Sequence, residues 1–150
     1  MGAITAIVSV VIGFLLGLIP PWLMKNKRAK AHLGAIKAES SICQKQAQQF
    51  LENGVASPLY RLPKLTFQAS LLTLLADGSL AENEVDVLTK FHINVEALNR
   101  GLDSVDAIRR VGLDPERKIQ FDKETARNTQ YAKELITLYP EVSRVIDTRK

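Results

Sequence analysis

Charge is absent from the first 24 residues of this chain, although its 150 residues include 20 Lys or Arg and 16 Asp or Glu. Cysteine is almost absent as well, because Cys43 is the only one. A single thiol cannot form an internal disulfide, so the sequence excludes a disulfide-stabilised scaffold and fits a reducing compartment. The sequence also lacks a P-loop, a GxSxG elbow, an HExxH pair, paired CxxC motifs and a dinucleotide fingerprint. These absences argue against the common enzyme classes, and we expect a non-catalytic protein without a cofactor.

The uncharged segment is long enough to cross a membrane. Residues 3–24 form a run of 22 residues without charge, and 17 of the first 24 residues are hydrophobic. A helix rises about 1.5 Å per residue, so the run reaches about 33 Å, which exceeds the roughly 30 Å hydrocarbon core of a bilayer. A secretory signal peptide would have basic residues before the run and a small-residue cleavage site after it. We therefore predict a retained single transmembrane anchor at 1–24.

Basic residues follow this segment directly, at Lys25, Lys27, Arg28 and Lys30. The positive-inside rule then places the N-terminus outside and the C-terminal domain in the cytoplasm, and we expect the bacterial inner membrane. Residues 25–45 carry six Lys or Arg against one Glu, whereas residues 46–150 carry 14 Lys or Arg against 15 Asp or Glu. The basicity therefore lies at the membrane edge, where Trp22 also suits the headgroup level. This distribution predicts contact with anionic lipid headgroups and argues against nucleic-acid binding.

The uncharged segment contains a stripe of small residues and, near its end, two prolines. Ser9, Gly13 and Gly17 repeat every four residues, which places them on one helix face where a second backbone can approach closely. Such a stripe predicts a packing surface for another copy or another protein, although glycine is also common in membrane helices. Pro20 and Pro21 predict that the helix ends or kinks before the cytoplasmic domain.

Residues 25–150 have helical periodicity and no convincing alternating strand pattern. The fold class is therefore predicted to be all-α, with one N-terminal transmembrane helix followed by an antiparallel helical bundle of about four helices. We predict bundle helices at 25–53, 65–76, 79–111 and 115–139, with an ordered, apolar connection at 55–64. The first bundle helix has a narrow apolar stripe with coiled-coil-like spacing, formed by Leu33, Ile36, Ser40, Cys43, Ala47 and Phe50.

Local signals set the expected ends of these elements. The run at 65–76 has no charge and is predicted to be the most buried helix. Ser79 and Glu82 match a capping box for the third helix, in which a break near Gly101 is possible. An N-cap at Asp114 starts the fourth helix, and Pro140 is predicted to stop it.

The candidate chemical groups are few. His32, Glu39 and Cys43 share one helix face, which would suit a metal half-site or an activated thiol, although their spacing also fits an ordinary buried face. His92 and Glu96 are one helical turn apart and could chelate a metal, but no third ligand is evident. We therefore expect no metal site.

Charged residues near two turns have alternative interpretations. Arg61 lies in an apolar segment, so it either fixes the loop to a helix, which we favour, or contacts a partner. The following carboxylates lack the ligand order of a calcium loop and are interpreted as helix-start charges: Asp77, Glu82, Glu84 and Asp86.

The leading functional hypothesis is a membrane-anchored cytoplasmic interaction or adaptor protein, such as a small subunit of a membrane complex. Its expected partners are another protein or a second copy, bound through the membrane helix and the helical domain. One alternative is a metal-dependent sensor or small enzyme that uses His32, Cys43 or His92. The other is a membrane-active phage or toxin-type protein.

Overall fold

The structure is a computed structural model that describes the backbone of residues 2–54 and 61–149. Side chains are described for these residues except 2–12 and 15–22. The described ranges contain no strand and four helices, namely α1 (Gly2–Asn53), α2 (Leu65–Ala76), α3 (Glu82–Val111) and α4 (Pro115–Asp147). The predicted all-α bundle is therefore confirmed.

The first helix is continuous from Gly2 to Asn53, so it does not end at Pro20 or Pro21, which was one of the two predicted outcomes, the other being a kink. Each proline removes one backbone donor and costs about 3 kcal/mol in a helix interior, yet the residues on both sides keep helical geometry. The domain boundary predicted between Met24 and Lys25 consequently falls inside one helix. The helix ends at Gly54, whose φ of 65° is left-handed and suits a residue without a Cβ.

The predicted transmembrane anchor at 1–24 has most of its side chains outside the described set. Within the described set, no helix is long and apolar enough to cross a membrane. The stretch 55–60 of the predicted apolar connection also lies outside the described residues, and 61–64 form an irregular segment that leads into α2.

The four helices pack as an antiparallel bundle. The second half of α1 packs against α2 and α4, α3 packs against α4, and α2 has a smaller contact with α3. Near one end of the bundle, Glu84 at the start of α3 binds Arg149 just beyond α4. The apolar core draws on all four helices, and its largest fully buried residues are Phe67, Phe91, Ile36, Leu74, Leu88, Leu98, Leu135 and Ile146.

The second helix has the predicted bounds, and only one of its faces is buried. It buries Phe67, Ser70, Leu71 and Leu74 on one face. Its opposite face is exposed and includes three leucines, with Leu65, Leu72 and Leu75 accessible over 77%, 59% and 40% of their surface. An uncharged sequence predicted burial on all sides, but α2 has helical neighbours on only one side.

The third helix starts two to three residues later than the predicted capping box. Its N-cap is Ala81, and the Glu84 carboxylate accepts a hydrogen bond from the Ala81 N–H at 2.7 Å. The Glu84 side chain is fixed by Arg149, which also donates to the carbonyl of Ser79. This tertiary contact favours Glu84 over Glu82 as the capping acid.

No break occurs at Gly101, because this glycine is a packing site within α3. A Cβ placed on Gly101 would lie 1.7 Å from Oδ1 of Asn128 in α4. Asn128 is completely buried, and neither of its amide atoms has a hydrogen-bond partner. The absent side chain of Gly101 thus makes the space that the Asn128 amide occupies.

The fourth helix continues through Pro140 to Asp147, so the prediction that Pro140 stops it is wrong. A proline inside a helix costs about 3 kcal/mol. The residues beyond it bury Val142, Val145 and Ile146, and burial of one such side chain contributes about 1.5–3 kcal/mol. Core packing of this last segment therefore outweighs the local cost of Pro140. The predicted start is confirmed, since Asp114 accepts a hydrogen bond from the Arg117 N–H at 2.8 Å.

We predict that Gly101→Ala destabilises the bundle by about 1–3 kcal/mol, because the new methyl group overlaps the buried Asn128 amide. Gly34→Ala is the matched control: its Cβ meets open space on an exposed helix face, so it should stabilise by about 0.5–1 kcal/mol. Adding Asn128→Ala to Gly101→Ala should recover stability relative to Gly101→Ala alone. Thermal unfolding of the full chain in mild detergent measures all three, and equal effects of Gly101→Ala and Gly34→Ala would contradict the packing assignment.

Candidate functional site

The basic residues that follow the uncharged segment are all exposed on α1, and we call them the basic collar: Lys25, Lys27, Arg28 and Lys30. Leu23 and Met24, just before them, are also exposed. Gly13 has open space around its Cβ position, and Phe14 is 68% exposed. The side chains of Ser9, Gly17 and Trp22 lie outside the described residues. The described part of the packing stripe is therefore accessible.

His32, Glu39 and Cys43 do lie on the α1 face that packs against α2, but each one has a different partner. The Nδ1 atom of His32 is 3.1 Å from the Ser70 hydroxyl. The Glu39 carboxylate accepts a hydrogen bond from the Phe67 N–H. The Cys43 thiol donates to the Pro63 carbonyl at 3.2 Å. The three residues thus join α1 to α2 and to the segment before it at three separate levels, and they do not converge on one point.

The Cys43 thiol is chemically quiet in this fold. Burial, followed by the negative charge of Glu39, raises the pKa of the thiol to about 12. Since the thiolate is both the nucleophile and the metal ligand, such a cysteine has almost none of the reactive form at neutral pH. Its environment is the reverse of that of an activated thiol.

Glu39 supplies the cap that α2 lacks in its own sequence. The N-cap position of α2 is Lys64, whose side chain makes no capping hydrogen bond. The first turn of any helix has unpaired N–H groups, and a carboxylate near them is favoured by both hydrogen bonding and the helix dipole. Glu39 is only 7% exposed and meets this requirement from the neighbouring helix α1.

The segment that leads into α2 is fixed to α3 by contacts of Leu62 and Arg61. The buried Asn99 amide accepts from the Leu62 N–H at 2.8 Å and donates to the Leu62 carbonyl at 2.9 Å. Arg61 forms an ion pair with Asp103, with its Nε 2.6 Å from the carboxylate. Arg61 therefore contacts α3, as in the structural alternative for this residue.

His92 and Glu96 meet Lys64 on the same side of the bundle. The His92 ring stacks on Phe67 with ring centroids 5.4 Å apart. Its Nε2 is 4.0 Å from the Glu96 carboxylate, which binds Lys64 Nζ at 2.7 Å. Burial lowers the pKa of His92, and the nearby charge of Glu96 opposes this only in part. Glu96 already has a cationic partner, so the pair is better suited to an ion-pair network than to a metal.

The carboxylates near the α2–α3 turn are engaged separately. Burial raises the pKa of Glu84, but the hydrogen bonds and charge of Arg149 and the Ala81 N–H outweigh burial and lower it overall. Asp86 pairs with Lys90 at 2.6 Å on the surface of α3. Among the residues with described side chains, no group of three or more His, Cys, Asp or Glu could hold a metal ion.

An open groove of about 420 Å³ lies between α3 and α4, lined by Lys90, Asn94, Gln130, Lys133, Glu134, Thr137 and Leu138. Lys90 is paired with Asp86, and Gln130 donates to Glu134 at 3.0 Å. The groove offers no buried titratable group, so its side chains suggest no reaction.

Comparison with known protein families, with curated proteins and with solved structures finds no match for this chain. Functional inference therefore rests on the residues themselves.

Sequence reasoning missed two features of α2. The capping role of Glu39 had a signal, because no Ser, Thr, Asp or Asn precedes Leu65 at the start of α2. The exposed face of α2, with Leu72 and Leu75, had no signal in the sequence. An uncharged apolar run has the same pattern whether one face of the helix or both are covered.

We predict that the bundle loses stability as the pH falls below about 6.5, the ordinary pKa of histidine. His92 has a lowered pKa in the folded chain, so below this pH the unfolded chain binds more protons. His92→Phe, which keeps a ring against Phe67, should remove most of the loss between about pH 6.5 and 5, above the range of the carboxylates.

Thermal unfolding midpoints of the full chain at several pH values measure this dependence. His32→Gln is the control, because it removes the other histidine and should retain the loss. An unchanged pH dependence in His92→Phe would contradict the assignment.

Proposed function

We propose that this chain is a membrane-anchored, non-catalytic interaction protein, in which one span holds a helical bundle at the cytoplasmic face of a membrane. The observation that carries the proposal is the continuity of α1 from Gly2 to Asn53. The first 23 residues of this helix have no charge, and its second half contributes Ile36 and Ala47 to the core. One helix therefore joins an apolar segment to a packed domain without an irregular linker.

Exposure of the described apolar side chains on this segment supports anchoring. Phe14 and Met24 are 68% and 71% exposed, and neither belongs to the bundle core. Water is an unfavourable environment for such a surface, whereas a lipid bilayer solvates it and the helix satisfies its own backbone hydrogen bonds. The basic collar then favours the cytoplasmic side for the bundle and anionic headgroups as its lipid contact.

The reactive side chains support an interaction role over a sensor or an enzyme. Glu39 is occupied as a helix cap, Cys43 has a pKa of about 12, and His92 is stacked on Phe67. These groups hold helices together. The accessible apolar positions are instead available for packing against another protein or a second copy, and Gly13 with Gly17 offers one such surface within the span.

The test is isolation of the tagged full-length chain from its native membrane. We expect the protein to stay in the membrane fraction after alkaline carbonate washing and to purify in mild detergent with one stoichiometric protein companion or as a homo-oligomer. Gly13→Leu/Gly17→Leu should disrupt that association, because the added side chains keep the second backbone away.

Gly34→Leu is the matched control, because it adds the same side chain at an exposed position of α1 outside the uncharged segment. It should leave the association intact. Release of the wild-type chain by carbonate would contradict the anchor. Full retention of every companion by Gly13→Leu/Gly17→Leu would contradict packing through the glycine face.

A further inference from the structure

The C-terminal half of α2 presents apolar side chains that nothing in the described chain covers. Leu72 and Leu75 are 59% and 40% exposed, and the whole of α2 contains no charged residue. Exposed leucines scattered singly are ordinary on protein surfaces. Leu72 and Leu75 are three residues apart and therefore adjacent on the surface of α2, where they form a small apolar patch on an uncharged helix.

The register between α1 and α2 brings this patch to the basic collar. His32 lies beside Ser70 and Glu39 lies beside Phe67, so the two helices run antiparallel. Leu75 is five residues beyond Ser70, which is about 7.5 Å farther along α2. An equal distance from His32 toward the N-terminus of α1 ends at Lys27, within the basic collar.

Two residues of the basic collar lie on the side of α1 that faces α2. Arg28 and Lys25 precede His32 by four and seven residues, and both spacings return to nearly the same side of a helix. His32 marks the side that packs on α2. Lys25 and Arg28 are exposed and therefore lie beside or just beyond the C-terminal end of α2.

The charge of this end of the bundle is positive. The collar supplies four cationic side chains, while Asp77 and Glu82 are the carboxylates of the adjacent turn. Glu84, the next carboxylate, is paired with Arg149. A surface that combines cations with exposed leucines matches the headgroup region of an anionic bilayer, which attracts the cations and accepts apolar side chains.

We propose that the C-terminal half of α2 is a second membrane contact, in which Leu72 and Leu75 enter the headgroup region of an anionic bilayer while Lys25 and Arg28 bind its lipid phosphates. This inference rests on the proposed function, because α1 must first place the bundle next to the membrane. This contact holds the bundle against the membrane surface. Without it, α1 alone would connect the bundle to the membrane. Leu65, on the same face of α2 but ten residues from Leu75, stays in water.

The experiment uses the full-length chain reconstituted in vesicles of phosphatidylcholine, with or without phosphatidylserine. A nitroxide label is placed on single-cysteine substitutions, and its collisions with oxygen, which partitions into lipid, and with a water-soluble nickel chelate are compared. The labelled substitutions are Met24→Cys, Leu65→Cys, Leu72→Cys, Leu75→Cys and Ile119→Cys. The unsubstituted chain controls for Cys43, which is buried and should label poorly.

In phosphatidylserine vesicles we expect lipid exposure at Met24 and Leu75, a smaller value at Leu72, and water exposure at Leu65 and Ile119. Lys25→Gln/Arg28→Gln should reduce the ratio of docked to undocked α2 by about 25-fold, since each basic residue near an anionic surface contributes roughly fivefold. Arg109→Gln/Arg110→Gln removes the same charge from the far end of α3 and should have no effect.

Each contrary outcome has one meaning. Water exposure at Met24 would overturn the proposed function as well as this contact. Lipid exposure at Met24 with water exposure at Leu75 would overturn the α2 contact alone. Shielding of Leu65, Leu72 and Leu75 from both reagents would show that a protein covers the whole face, which also contradicts the proposal.

Discussion

The structure depends on one buried carboxylate, that of Glu39, at the N-terminus of a helix that cannot cap itself. Desolvating a carboxylate is costly unless donors surround it, and the unpaired N–H groups of the first turn of α2 are such donors. The contact with Phe67 therefore satisfies both partners. It also fixes the position of α2 along α1. This position places the exposed Leu72 and Leu75 near the basic collar.

The other polar contacts in the interior also determine geometry. Asn99 binds both backbone groups of Leu62 and holds the approach to α2 against α3. Asn128 has no hydrogen-bond partner, yet it occupies the space left by Gly101 and sets how closely α3 and α4 approach. Burying an amide without hydrogen-bond partners is unfavourable. Asn128 therefore contributes through packing in the space beside Gly101 and not through hydrogen bonds.

Local sequence signals predicted most of the fold. Apolar periodicity predicted the helices, and Asp114 marked the start of α4. Two of the errors share a physical cause, because each required knowledge of tertiary neighbours. Pro140 continues a helix since the residues after it are buried, and Glu84 caps α3 since Arg149 holds it. The candidate site was recognised only as a shared helix face, because the partner atoms lie on distant parts of the chain.

The central claim is that the Glu39 carboxylate orders α2 on α1, and amide hydrogen exchange of the full chain tests it most directly. Glu39→Gln keeps an acceptor oxygen for the Phe67 N–H, whereas Glu39→Ala leaves this buried donor unpaired, at a cost of about 1–3 kcal/mol. The account predicts faster exchange across residues 65–76 in Glu39→Ala, little change in Glu39→Gln, and unchanged protection in the middle of α3 and α4. Undiminished protection of α2 in Glu39→Ala would contradict it.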